Sequence, residues 1–130
     1  MARALKGIVF DLDGVVADTE DFHRRAYNRA FEEIGLSTRW EFADYKARFT
    51  CSGGSKLADL PVPVATVEPE TFRSELYQAK RRHFVRLLET APLSPRPGVV
   101  RLVRQALDRG VLLGAASTCQ KEGAAAILQR

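Results

Sequence analysis

Gly7-Ile8-Val9-Phe10-Asp11-Leu12-Asp13-Gly14 is the stretch on which the fold turns. Ile8-Val9-Phe10 is a short apolar, largely β-branched run bounded by Gly7 and Asp11, the pattern of a buried strand with an acidic cluster at its C-terminal end. Carboxylates separated by one residue at a strand end point to the same side, so Asp11 and Asp13 can face one ligand while Leu12 turns into the core. Gly14 lets the chain turn away without a side chain obstructing that ligand.

Working outward, the period changes after Asp18. Phe22, Ala26, Ala30, Phe31 and Ile34 fall on one helical face, with Asp18 or Thr19 as N-cap and Gly35 as stop, which predicts a helix of about four turns. Phe22, Tyr27, Phe31 and Phe42 form an aromatic stripe at helical spacing, suited to burial. A second helical pattern, Phe42, Tyr45 and Phe49, runs into Thr50-Cys51-Ser52-Gly53-Gly54-Ser55, a loop of small residues able to lie close to a ligand. Pro61, Pro63 and Pro69 punctuate a connector. Phe72, Leu76, Ala79, His83, Leu87 and Leu88 then restore helical spacing up to Pro92.

Beyond Pro95 and Pro97, Val99, Leu102, Val103, Ala106 and Leu107 share a helix face that closes at Gly110. Val111 to Ala116 is a continuous apolar run, predicting a second buried strand that ends in Ser117 and Thr118. Ala124, Ile127 and Leu128 mark a last amphipathic stretch. The order predicts an α/β fold with a parallel core interrupted by an all-helical insert. Residues 1–17 carry the first strand and acidic pair, 18–92 the helical cap, and 93–130 a core helix, the second strand and the helix after it.

The acidic pair has a chemical reading. Two close carboxylates repel unless a positive charge offsets them, and magnesium bound through oxygen ligands and a substrate phosphate supplies one, with Asp11 and Asp13 as its protein ligands. Phosphoryl transfer needs an in-line nucleophile, neutralised phosphate oxygens and a proton for the leaving alkoxide; Asp11 would attack and Asp13 would shuttle the proton. Alone, Asp-Leu-Asp-Gly also fits a solvated turn. An EF-hand loop needs an oxygen ligand and then glycine where Val15 and Val16 stand, which excludes calcium-loop binding. Ser117 and Thr118 can bind phosphate oxygens or cap the following helix. His23 could touch a substrate or be an ordinary helix histidine. Lys80 could meet a second anionic group or lie on a solvated basic face with Arg81 and Arg82.

Composition narrows the classes. The net charge of +4 is spread along the chain, and the aromatic pattern is that of a buried stripe, so nucleic acid is not an expected partner. Cys51 and Cys119 form no CxxC and no Cys/His set for zinc, which fits a reducing compartment. Residues 1–6 lead into no signal-peptide apolar region and no run is long enough to span a bilayer. A soluble, intracellular protein without a membrane partner is expected.

Phe10-Asp11-Leu12-Asp13-Gly14-Val15-Val16-Ala17-Asp18-Thr19-Glu20 resembles the first motif of the haloacid dehalogenase superfamily, and Ala115-Ala116-Ser117-Thr118 resembles its second. Phe22-His23-Arg24-Arg25-Ala26-Tyr27-Asn28, Ser52-Gly53-Gly54, Ala79-Lys80 and Arg96-Pro97-Gly98-Val99 look like the CbbY-type phosphatases, which resemble β-phosphoglucomutase in fold. The resemblance implies a Rossmann-like core with a helical cap, magnesium, an aspartyl-phosphate intermediate and small phosphorylated sugars as substrates, xylulose bisphosphate among them. It implies Asp11 as nucleophile, Asp13 as acid/base, phosphate contact by Ser117 and Thr118, and substrate contact by Asp18, Gly53, Gly54 and Lys80. The family often has Glu where Asp18 stands, a basic residue at Ser55 and Ser or Thr at Cys119, so the sugar stays open.

The family's third-motif lysine and fourth-motif acids would follow the second strand, beyond Arg130. The expectations are therefore a partial core, little or no turnover by this chain alone, a monomeric full-length parent and a fragment that is marginally stable or self-associating. A phosphomutase and a non-catalytic binding module are the alternatives. The expected location is the cytoplasm or a plastid stroma.

Overall fold

The computed structural model describes residues 4–48, 53–63 and 68–130. Its elements are β1 (Gly7–Phe10), α1 (Glu20–Glu33), α2 (Phe42–Lys46), a 3-10 turn (Gly53–Leu57), α3 (Pro69–Thr90), α4 (Pro97–Asp108), β2 (Leu112–Ala115) and α5 (Lys121–Leu128). They form two compact units. One is Asp21–Leu87, and the other joins the segment up to Glu20 with Leu88–Arg130. No helix among the described residues is long and apolar enough to cross a membrane.

In the α/β unit, β1 and β2 pair in parallel, with Gly7 opposite Leu112 and Phe10 opposite Ala115. Parallel pairing places the C-terminal ends of both strands on one edge, and the Ala116 N–H extends the ladder to the Phe10 carbonyl at 2.8 Å. Pro97 opens α4, where its missing N–H costs nothing. Gly110, at φ +65°, closes the helix as the Val111 N–H returns to the Ala106 carbonyl at 2.9 Å.

The expectation of buried strands needs correcting. Val9 is 70% exposed and Leu112 74%, and on α4 Ala106 is buried whereas Leu102 and Leu107 are exposed. An apolar run specifies a strand built to be covered on both faces, and a sheet of two strands offers too little area for helices to do so.

The helical unit has a conventional core. Tyr27, Ala30 and Phe31 of α1, Leu76 and Ala79 of α3, and Trp40, Tyr45, Leu57 and Leu60 between them form one buried cluster. Phe31 meets the Trp40 ring edge-on at 4.9 Å, and Tyr27 lies 4.9 Å from it on a tilt. Asn28, buried beside them, treats the Trp40 backbone as a strand would: its amide donates to the Trp40 carbonyl at 2.9 Å and its oxygen accepts the Trp40 N–H at 2.8 Å. Phe42 is half exposed instead of extending the aromatic stripe. The reason is that α2 begins only at Phe42, runs for five residues and turns Tyr45 inward. Phe49 and Thr50–Ser52 lie outside the described residues, and Gly53–Leu57 is a 3-10 turn instead of an open loop. Pro69, read as part of a connector, is the first residue of α3.

Candidate active site

The strand ends once β1 reaches Phe10, and the next three residues divide as their chemistry requires. Leu12 is buried, Asp11 exposed and Asp13 half-buried. One Asp11 oxygen accepts the Leu12 N–H at 2.8 Å, which fixes the carboxylate at the strand tip. The chain then reverses: the Val15 and Val16 N–H groups both donate to the Leu12 carbonyl, and Gly14 takes φ +76°, a conformation that carries a penalty for any residue with a Cβ.

Thr19 ties this turn together. Fully buried, it stands immediately before α1, where a capping role was expected for it or Asp18. Its hydroxyl accepts the Gly14 N–H at 2.9 Å and donates to Oδ1 of Asp13. The hydroxyl thus satisfies a partly buried N–H and orients the second carboxylate at once. Thr19→Val keeps the shape and removes both bonds. It is expected to lower unfolding free energy by about 2 kcal/mol, because the Gly14 donor is left without its partner; a urea denaturation series would check this.

At the same sheet edge β2 gives way to Ser117 and Thr118. The Ser117 hydroxyl accepts the Cys119 N–H at 3.0 Å, and Thr118 is exposed. The N-cap of α5 is Gln120, which makes no side-chain cap bond, so neither hydroxyl residue occupies the capping position. Asp18 is also exposed, with its carboxylate 3.6 Å from the Arg96 guanidinium.

His23, Lys80 and Gly54 gather in the helical unit. Lys80 is 6% exposed, which removes the reading of a solvated basic face. Its ammonium sits 2.7 Å from Nδ1 of His23 and over the rings of Phe84 (4.8 Å), Tyr27 (5.1 Å) and Tyr77 (5.9 Å). His23 in turn stacks on Phe84 at 3.9 Å, nearly parallel. Gly54 lies beside the Tyr77 ring, where an added Cβ would make an ordinary van der Waals contact at 3.5 Å. Burial, and secondarily Tyr77, raises the Tyr27 phenol well above its ordinary range, so it stays neutral beside the ammonium. Away from this cluster, hydrogen bonds from His83 and then Arg82 hold the exposed Glu33 carboxyl below its usual value.

The roles of two residues escape the sequence. Thr19 carries a signal that a helix N-cap already explains, and Arg96 enters only as part of the Arg96-Pro97-Gly98-Val99 stretch that carries the family resemblance. The aromatic cage around Lys80 was half visible: Tyr27 was assigned to a buried stripe, and Tyr77 and Phe84 to no role.

A parallel α/β unit interrupted by a helical one, with carboxylates and hydroxyls at the ends of adjacent strands, defines a hydrolase fold of the haloacid dehalogenase type. The chain belongs to the haloacid dehalogenase-like hydrolase family, whose sequence model matches residues 5–130. Among its relatives, protein CbbY of Cereibacter sphaeroides is 31% identical over 124 residues, a match covering 88% of this chain and 50% of the relative. The crystal structure of CbbY from Rhodobacter sphaeroides in complex with phosphate superposes with a TM-score of 0.83 at 28% identity, covering 97% of this chain and 56% of that one. A mutant of the same protein in complex with xylulose-(1,5)bisphosphate gives a TM-score of 0.82, again at 28% identity, with 97% and 56% covered. The chain spans about half the length of the curated relatives it matches.

Proposed function

We propose that the chain carries the nucleophile and proton shuttle of a magnesium-dependent phosphohydrolase acting on a small phosphorylated sugar, with xylulose bisphosphate as the first candidate. The observation that carries this reading is the Asp11–Asp13 pair at the tip of β1, with one carboxylate exposed and the other oriented by a buried hydroxyl.

In the proposed reaction an Asp11 oxygen attacks phosphorus, forming an aspartyl-phosphate as the bond to the sugar oxygen breaks, and Asp13 gives that oxygen its proton. Water then attacks the same phosphorus, Asp13 takes the proton back, and Asp11 is released with inorganic phosphate. Ser117 and Thr118 would donate hydrogen bonds to the transferring phosphate oxygens. Asp18, His23, Gly53, Gly54 and Lys80 are the proposed substrate contacts; Lys80 is a desolvated cation suited to a second anionic group.

Among the described residues no group of three or more His, Cys, Asp or Glu side chains is arranged to hold a metal. The Asp11–Asp13 carboxylate pair fits magnesium, which keeps several waters and takes one or two carboxylates with substrate phosphate oxygens. Asp11 and Asp13 would hold it. When bound, it would neutralise charge on the carboxylates and the phosphate.

The test is phosphate release from a panel of sugar mono- and bisphosphates, with magnesium and after chelation. Magnesium-dependent release that falls to background with EDTA is expected, with xylulose bisphosphate among the better substrates. Release that ignores chelation would sink the metal assignment, and binding of sugar phosphates without any release would favour a non-catalytic module.

A further inference from the structure

We propose that Arg96 is a positioning residue for Asp13, an assignment that rests on the reading of Asp13 as proton shuttle. Arg96 stands immediately before α4, far along the chain from the acidic pair, yet three of its groups reach the turn that follows Asp13. Its backbone N–H donates to the Val16 carbonyl at 2.8 Å, its Nε donates to the Gly14 carbonyl at 3.2 Å, and its guanidinium faces the Asp18 carboxylate at 3.6 Å. Beside it, Pro95 forms an antiparallel bridge with the buried Ala17. Pro95 and Pro97 have no N–H of their own, so Arg96 supplies the donor for this crossing.

The consequence falls on Gly14. Glycine is the residue with the most backbone freedom, and here it follows the shuttle directly. Its N–H is held by the Thr19 hydroxyl and its C=O by Arg96, so the peptide planes on both sides of it are fixed from opposite directions. Thr19 acts on Asp13 by contact, and Arg96 acts one peptide further along, through the backbone. Asp18, one of the proposed substrate contacts, also faces this cation.

The experiment compares Arg96→Met and Arg96→Lys in the full 130-residue chain by NMR. Losing the Nε bond should free the peptide that joins Gly14 to Val15, speed amide hydrogen exchange at Val15 about fivefold and leave Ala116, in the strand ladder, unchanged. The side-chain carboxyl 13C resonance of Asp13 should move in Arg96→Met while that of Asp11 stays, and Arg96→Lys should restore part of the Asp13 position. Unchanged Val15 exchange overturns the proposal, as does an Asp11 resonance that moves as far as that of Asp13, since that would mean general loosening. Asp13→Asn, assayed separately for phosphate release, tests the shuttle reading. Full turnover in that variant would remove the reading without altering the exchange result.

Discussion

Asp11→Asn should bring whatever magnesium-dependent phosphate release the chain supports down to background, since an amide is a poor nucleophile for phosphorus and contributes no charge to a metal. Structure should survive the change. Asp11 is exposed and its one local bond is as an acceptor from the Leu12 N–H, which an asparagine oxygen can replace. Surface substitutions that keep their hydrogen bonds stay within about 0.5 kcal/mol, so the variant should unfold in urea at nearly the parent concentration. The combination is diagnostic: activity gone, stability intact. Retention of more than about a tenth of the parent rate would mean that another group attacks phosphorus, because removing an essential nucleophile costs several orders of magnitude.

The acidic tip was legible because its signal is local. Residue alternation alone sets Asp11 and Asp13 against Leu12, and the structure buries Leu12 while exposing Asp11. The long helices were legible for the same reason, since Phe22, Ala26, Ala30 and Phe31 repeat at helical spacing and all are buried. The parallel pairing of β1 with β2 was legible too, although the strands are far apart in sequence; what failed was burial and side-chain contact that depend on distant partners. Burial of Val9 and Leu112 was read from their apolarity, but burial belongs to the layers that cover a strand, and these two remain exposed.

Lys80 failed in the opposite direction. A basic triplet on a helix gives no sign that its first member will be caged by rings from α1 and α3, because the cage forms only when those helices pack. Thr19 shows a third kind of limit. A hydroxyl at a helix start has one obvious local use, and its contact with Asp13 becomes visible only once the turn at Gly14 brings the two together.

Trp40→Ala is expected to cost about 4 kcal/mol, the upper part of the range for removing a large buried aromatic, because the site has little means of collapsing. Trp40 is 4% exposed and is wedged between Phe31 and Tyr27, each with its ring centre 4.9 Å away, while the Arg48 guanidinium covers it at 4.6 Å. Its backbone is clamped by Asn28, so the chain cannot slide to fill the void. For a unit of this size such a loss is a large share of total stability, and far-UV circular dichroism in urea should show a sharply lowered midpoint. Fluorescence would not serve, as Trp40 is the sole tryptophan. Trp40→Phe, which keeps much of the ring, should cost less than half as much. The effect should also reach the proposed substrate contacts: Tyr27 carries the Lys80 ammonium on one ring contact and Trp40 on another. Emptying the Trp40 site frees Tyr27 to tilt, and the Lys80–His23 contact should loosen with it. A cost below about 1 kcal/mol would show that the aromatic cluster is not the core of the helical unit, since even a single buried methylene is worth nearly that much.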